Sequence, residues 1–393
     1  MTDIMTGNQQ LVKQINKKLV LESVIKQEPI SRADISQKVG LNKGTVSSLV
    51  GELIEEQFIY ESGPGKSSGG RRPVMLLYNQ NAGYAIGIDL GVNYILGLLT
   101  DLKGNKIVEI NKKITVHHYE DVLLILQKMI EDLIESAPMG RYGIVGIGIG
   151  VPGLVTNSNK ILVAPNLGWK DIELQKIIED AFNIPVFIEN EANAGAYGER
   201  IYGAGKDYNN IMYVSAGIGI GIGSILDGKL FTGMNGFSGE MGHMVIQVGG
   251  KDCSCGSSGC WELYASERAL LDEALKAKLP QVTKETLSIE LLLNLAENGN
   301  EDVITIFNTI GMYLGVGISN IINSFNPELI IIGNRLAMAK KWIEKPIKKY
   351  VNVHAMGYHQ EGLSIQFSQL YNDAAALGVA ALSIENFIKI KVQ

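Results

Sequence analysis

Cysteine is scarce in this 393-residue chain: there are three, and all fall within eight residues, at Cys253, Cys255 and Cys260. An odd, crowded set excludes a framework of structural disulfides and suits a reducing compartment, where clustered thiols point to a metal. Charge is sparse as well. Asp, Glu, Lys and Arg make up 19% of the chain and hydrophobic residues 46%, which excludes a disordered or fibrous protein. Long apolar runs are missing: Ile211 to Leu226 is interrupted by glycines and falls short of the roughly 20 residues a membrane-spanning helix needs. No membrane segment is expected. The opening MTDIMTGNQQ holds an acid and no signal region, so the expected address is cytoplasmic. The few charges are unevenly divided. Residues 1–73 carry ten Lys and Arg against eight Asp and Glu, while the remainder carries a net −8. A slightly basic head on an acidic body is compatible with nucleic-acid binding by the head.

The head reads as a winged helix-turn-helix. Apolar positions from Leu11 to Ile25 follow helical spacing, and Glu28-Pro29 ends that helix. Ser31 is an N-cap with Asp34 in the capping-box position, predicting a short helix over Arg32 to Val39. Gly40 supplies the turn. Asn42 caps a second helix from Lys43 to about Gln57, with Val46, Leu49, Val50, Leu53 and Ile54 facing inward. This second helix is the candidate recognition helix: Lys43, Thr45, Ser47 and Ser48 face outward, with Arg32 and Asn42 beside them, able to meet base edges and phosphates. A strand from Phe58 to Glu61, a Gly/Ser loop carrying Lys66, Arg71 and Arg72, and a strand from Val74 to Tyr78 make the wing, residues 59–78. A plain interdomain linker for the loop, or a trihelical protein-interaction module for the head, are the alternatives.

Beyond Gly83 the pattern becomes α/β. Strands are expected at Tyr84 to Leu90, Tyr94 to Thr100 and Ile107 to Ile110, a helix at Val122 to Glu135 and a strand at Gly143 to Gly150. A second meander follows: Ile211 to Ser215, Gly221 to Leu226 and Lys229 to Phe231. Further helices are expected at Lys284 to Ala296, Asp302 to Phe325 and Ala374 to Phe387, with a strand at Leu329 to Ile332. Two lobes, each opening on a hairpin-rich sheet, suggest a clamp with its ligand between them.

Three segments carry a resemblance: Ile188-Glu189-Asn190-Glu191-Ala192-Asn193-Ala194, Glu240-Met241-Gly242-His243, and the run from Cys253 through Gly256 and Gly259 to Cys260-Trp261-Glu262. They resemble the sugar and zinc motifs of the ROK family (repressors, open reading frames, kinases). Ser31-Arg32-Ala33, Gly40-Leu41-Asn42-Lys43 and Ser67-Ser68-Gly69-Gly70-Arg71-Arg72-Pro73 resemble the xylose-responsive repressors within it. The resemblance implies a two-lobed actin-like, ribonuclease H-like sugar-kinase fold behind a winged helix-turn-helix. The expected division is residues 1–80 for the head, 81–193 for the first lobe and 194–393 for the second, its last helix packing back on the first. It also implies D-xylose as inducer; because one helix-turn-helix reads only a few base pairs, a homodimer on an inverted-repeat operator is expected, with no membrane partner.

Read by themselves, three thiols in a C-x-C-x₄-C run with His243 ten residues upstream can form a closed Cys₃His set, which suits a structural zinc ion; three buried free thiols are the alternative. One His and no further Cys favour zinc over an iron–sulfur cluster. Such an ion holds Glu240, His243 and Glu262 together, and carboxylates and an oriented imidazole suit vicinal hydroxyls. The resemblance implies that Asn190, Glu191, Glu240, His243 and Glu262 contact the sugar, with the segments around Gly153 and Asn166 bordering it. Helix capping by Asn190 and Glu191 is the structural alternative.

A kinase of this family needs phosphate-binding turns. Related kinases carry Asp-x-Gly-Gly-Thr where this chain reads Asp89-Leu90-Gly91-Val92-Asn93, and a hydroxyl where it has Ile218. Glu191 stands at the position of the kinases' general-base Asp. These departures favour a non-catalytic sugar sensor over the alternative, an ATP-dependent sugar kinase.

Overall fold

The structure, a computed structural model, describes residues 9–64 and 73–392. In the head, Ser31 accepts from the Asp34 amide while Asp34 reaches back to the Ser31 amide, a complete capping box that opens Arg32–Val39; Gly40 ends it at φ 70°. Asn42 Oδ1 accepts from the Thr45 amide at 2.8 Å and opens the recognition helix, Lys43–Glu55. With Gln9–Gln27 these helices bury Val20, Leu21, Val24, Ile35, Val46, Leu49, Val50 and Leu53. Val74–Tyr78 is the middle strand of a three-stranded sheet, between Ile30–Ser31 and Ile59–Pro64. The loop with Lys66, Arg71 and Arg72 lies outside the described residues.

The head's core continues into the body. Ala85, Leu102, Val145, Ala380, Ile384, Phe387 and Val392 belong to the same buried cluster. The Phe58 ring stacks on Tyr142 with centroids 5.3 Å apart, and Phe387 packs against Tyr142 at 5.0 Å. The Tyr142 hydroxyl donates to the Glu56 carbonyl at 2.8 Å, and Lys103 pairs with Glu28.

The body holds two five-stranded sheets of one topology. In the first, the antiparallel meander Lys106–Lys113, Tyr94–Asp101, Tyr84–Leu90 is extended by the parallel strands Ile144–Val151 and Val186–Asn190. In the second, Lys229–Leu230, Ile220–Leu226 and Ile211–Ala216 are extended by the parallel strands Leu329–Gly333 and Ser364–Phe367. The meanders follow the sequence expectation within a few residues. A small three-stranded flap, Leu154–Val155, Ile161–Ala164 and Trp169–Ile172, was not anticipated.

The closing helix, Ala374–Val392, packs on the first sheet. Gly87 and Gly148 sit so near it that a Cβ would come within 1.9 Å of the Ala376 carbonyl and 2.3 Å of the Val379 carbonyl. It also crosses Glu191–Tyr202, where a Cβ on Gly378 would meet the Ala194 carbonyl at 1.8 Å. Helices Leu174–Phe182, Glu267–Lys276 and Lys340–His354 lie where none was expected, and the helix expected from Lys284 begins at Ile289 behind the cap Ser288. Among the described residues one helix, Glu301–Phe325, is long and apolar enough by length and composition to cross a membrane, contrary to the expectation that no such run exists. Its face bearing Phe307, Ile310, Leu314, Ile318 and Ile322 forms the core beneath the second sheet.

Candidate functional site

All seven residues singled out for a sugar line one cleft between the flap and the second sheet: Gly153, Asn166, Asn190, Glu191, Glu240, His243 and Glu262. Different elements deliver them. Asn190 ends the strand Val186–Asn190 and caps the next helix, its Oδ1 accepting from the amides of Ala192 at 2.8 Å and Asn193 at 3.3 Å. Its Nδ2 donates to the Gly153 carbonyl at 2.9 Å, so the side chain both caps the helix and sets the flap's first turn. Glu262 opens the short helix Glu262–Ala265 and lies across Gly219, whose bare α-carbon leaves it room: a Cβ there would be 2.8 Å from Oε2.

Trp261 fixes this corner. It is fully buried, its indole N–H donates to the Tyr313 carbonyl at 2.8 Å, and its ring lies on Gly317, where a Cβ would come within 2.0 Å. Cys260 and Glu262, on either side of it, are therefore tied to the long core helix.

Four ligand atoms converge beside Glu262. His243, Cys253, Cys255 and Cys260 place theirs within 4.8 Å of one another. Cys255 Sγ and Cys260 Sγ are 3.7 Å apart, and Cys253 Sγ lies 3.6 Å from His243 Nδ1. A tetrahedral ion with metal–sulfur bonds of about 2.3 Å and a metal–nitrogen bond of about 2.0 Å has sulfur–sulfur edges near 3.8 Å and sulfur–nitrogen edges near 3.5 Å. The cluster fits such an ion. With Nδ1 turned to the thiols, His243 Nε2 faces the cleft, 4.0 Å from Glu240 Oε2.

Behind Glu191 the cleft deepens into two smaller recesses. One is lined by Gly91, Val92, Asn93, Tyr94, Ile218 and Arg335, the other by Asp89, Tyr94, Tyr213, Ser215 and Asn334; Glu191 borders both. The Tyr94 ring lies on Gly91, where a Cβ would meet it at 2.3 Å, and its hydroxyl donates to Asp89 Oδ2 at 2.6 Å. Tyr94 was not foreseen as a site residue. The available signal was a bulky ring three residues after a strand-ending glycine.

Burial pushes the Glu191 carboxyl up to about 8, with the Asp89 charge adding and Ser215 partly opposing, although part of its surface still meets the cleft. Burial likewise pushes Asp89 up to about 6, against the Tyr94 hydrogen bond. A carboxyl raised in the native state holds a proton that the unfolded chain releases, so its contribution is intact below the unfolded value and is lost as pH rises to the native one. Stability should fall between about pH 5 and pH 8 by at most about 1.4 kcal/mol per pH unit from this group. Glu191→Gln should flatten that slope in thermal melts and stabilise the protein at the alkaline end. A mutant slope equal to the native one would refute the assignment.

In the head, Asn42, Lys43, Ser47 and Ser48 are exposed and Thr45 is half-buried, so the recognition helix presents them along its outer face. Arg32 is engaged with Glu61 at 2.8 Å. Lys66, Arg71 and Arg72 lie outside the described residues.

Known proteins match the chain over nearly its whole length. The ROK family model matches residues 85–386, and a winged helix-turn-helix DNA-binding model matches residues 14–60. The chain is 46% identical over 386 residues to the xylose repressor of Bacillus spizizenii, covering 98% of each. Among solved structures it resembles a ROK family transcriptional regulator, a homologue of the Escherichia coli MLC protein, at TM-score 0.83 and 30% identity, covering 97% of this chain and 99% of that one. It also resembles a ROK family glucokinase from Streptomyces griseus in complex with glucose and AMPPNP, at TM-score 0.69 and 27% identity, covering 76% of this chain and 99% of that one.

Proposed function

The chain belongs to the ROK family, and from that premise we propose that it is a sugar-responsive transcriptional repressor, binding operator DNA as a homodimer and released by D-xylose, that controls xylose-utilisation genes. The observation that carries this reading is the union in one chain of a capped helix-turn-helix and a carboxylate-lined cleft, joined by one continuous core. Residues 1–80 serve as the DNA-binding domain, 81–193 as the first lobe and 194–393 as the second. As a regulator of transcription the protein works in the cytoplasm.

Sugar recognition follows from the donor set. Glu240 and Glu262 accept hydrogen bonds from ring hydroxyls, Glu191 with its retained proton can donate as well as accept, and Asn166, Asn190 and His243 Nε2 offer donors to the hydroxyl oxygens. A zinc ion on His243, Cys253, Cys255 and Cys260 supplies a crosslink with all four positions filled by protein. The residues it holds keep Glu240, His243 and Glu262 at one wall of the cleft.

Phosphoryl transfer is disfavoured by the same recesses. Val92 and Asn93 replace a glycine and a hydroxyl, Ile218 presents a hydrocarbon branch, and the Tyr94 ring covers Gly91. An isoleucine beside a phosphate omits a donor worth on the order of 1 to 3 kcal/mol. The glucokinase likeness covers 76% of this chain, against 97% for the transcriptional regulator. The test is direct: D-xylose without nucleotide should release operator DNA in a gel shift, and a coupled assay with ATP and xylose should show no turnover. Turnover, or release that requires ATP, would overturn the reading.

The head's contacts separate into two classes. Arg71→Ala or Arg72→Ala should weaken binding to all sequences and flatten its salt dependence, because phosphate contacts release counterions. Lys43→Ala or Ser47→Ala should change which sequence is preferred, as base-edge contacts do. Selection from a randomised site library at two salt concentrations distinguishes the two; identical profiles for both classes would show the assignment to be wrong.

A further inference from the structure

The flap is tied to the second lobe by two sets of contacts. In the first, the Asn157 amide donates to the Met234 carbonyl at 2.9 Å, and Gly236 packs so closely that a Cβ would meet the Val155 carbonyl at 2.4 Å. In the second, between two residues that line the cleft, Arg268 Nη2 donates to Asn166 Oδ1 at 3.1 Å. Asn157 and Asn166 belong to the flap's turns, whereas Met234 and Arg268 belong to segments carried by the second sheet. Arg268 stands in the first turn of the helix Glu267–Lys276; its neighbour Glu267 is held by Arg335 at 2.8 Å.

The Arg268–Asn166 contact has a chemical direction. A guanidinium has five donors and no acceptor, so an amide facing it must present its oxygen. The Asn166 NH₂ group is then the end left for a ligand. Donors in the cleft are few: Glu240 and Glu262 accept, Glu191 holds a single proton, His243 offers only Nε2, and the Asn190 amide nitrogen gives one of its two protons to the Gly153 carbonyl. A polyol whose hydroxyl protons go to carboxylates still needs donors for its oxygens.

We propose that Arg268 is a positioning residue for the sugar, turning the Asn166 amide so that its NH₂ group donates to a ring hydroxyl and clasping the flap to the second lobe over the bound ligand. This rests on the sugar-sensor reading. Arg268 is exposed, so replacing it leaves the core untouched.

The experiment is calorimetry and stopped-flow dissociation of D-xylose from the full chain, comparing the native protein with Arg268→Ala, Arg268→Lys, Asn166→Ala and the Arg268→Ala/Asn166→Ala double variant. Arg268→Ala should weaken xylose binding about 5- to 20-fold, the worth of one or two hydrogen bonds, chiefly through faster dissociation. Arg268→Lys should recover part of the loss. The double variant should bind no more weakly than Asn166→Ala alone, since Arg268 acts through Asn166. Thermal stability and sugar-free operator affinity should stay at native values in Arg268→Ala. Native affinity in Arg268→Ala, or losses that multiply in the double variant, would overturn the proposal. A native protein that binds no xylose at all would instead count against the sugar-sensor reading.

Discussion

Cys255→Ser should weaken sugar binding by about 100-fold or more while leaving sugar-free operator affinity within about threefold of native. The difference follows from where the cysteine cluster sits. His243 is itself a ligand candidate, Glu262 lies two residues beyond Cys260, and Glu240 precedes His243 by three. Structural zinc sites contribute on the order of 10 kcal/mol to ordering their surroundings, and these surroundings form one wall of the cleft. Three polar groups set loose cost about 1 kcal/mol or more each in lost hydrogen bonds, which multiplies to the expected factor. The head's core, from Val20 to Val392, contains none of these residues. Metal analysis of the purified protein, followed by calorimetry with D-xylose and gel shifts on the same sample, checks both halves. Absence of zinc in freshly purified protein, or full sugar affinity in the variant, would sink the structural role.

The second large effect is reciprocal. Saturating D-xylose should lower operator affinity about 100-fold, which needs a differential of only about 2.7 kcal/mol between two states, and operator should weaken xylose binding by the same factor. The cleft has walls from both lobes, Gly153 and Asn166 on one and Glu240, His243 and Glu262 on the other, so a bound sugar favours one closure angle. Its rear opens onto the crossing of Glu191–Tyr202 with the closing helix, whose backbones touch through Gly198 and Gly378. The closing helix in turn reaches the head through Phe387. Relative motion of the lobes therefore has a packed route to the recognition helices, and in the proposed homodimer two heads would have to keep their spacing to read half-sites about one helical turn apart. Titrating xylose with and without operator tests the idea. Equal sugar affinities in the two titrations would exclude direct coupling.

Much of the head was legible because capping residues act locally. Ser31, Asp34, Gly40 and Asn42 each do what their spacing predicts. The meanders were legible for the same reason, as short apolar runs between turn residues. Lys340–His354 was not: Pro346 and its many lysines obscure the helical pattern, yet Ile343, Ile347 and Val351 bury one face against the core. The flap escaped notice because strands of two to four residues carry no periodicity. At the cleft, residue types pointed to Glu240, His243 and Glu262, but nothing in the sequence linked Asn166 to Arg268, a pairing of residues 102 positions apart. The placement of Tyr94 on Gly91 likewise depends on the curl of a turn rather than on its composition.

The shared core of the head also bears on how the protein is made. Phe58 and Tyr78 come early in synthesis, whereas Ile384, Phe387 and Val392, which belong to the same buried cluster, come last. At about 5 to 20 residues per second, most of a minute can separate their emergence from the ribosome. The nascent head can form its capped helices at once, but its hydrophobic surface stays partly uncovered until the final turns of the closing helix arrive. Losing the last turns of the closing helix would therefore uncover part of the N-terminal domain's core, and the DNA-binding head reaches its finished form only once that helix has been made.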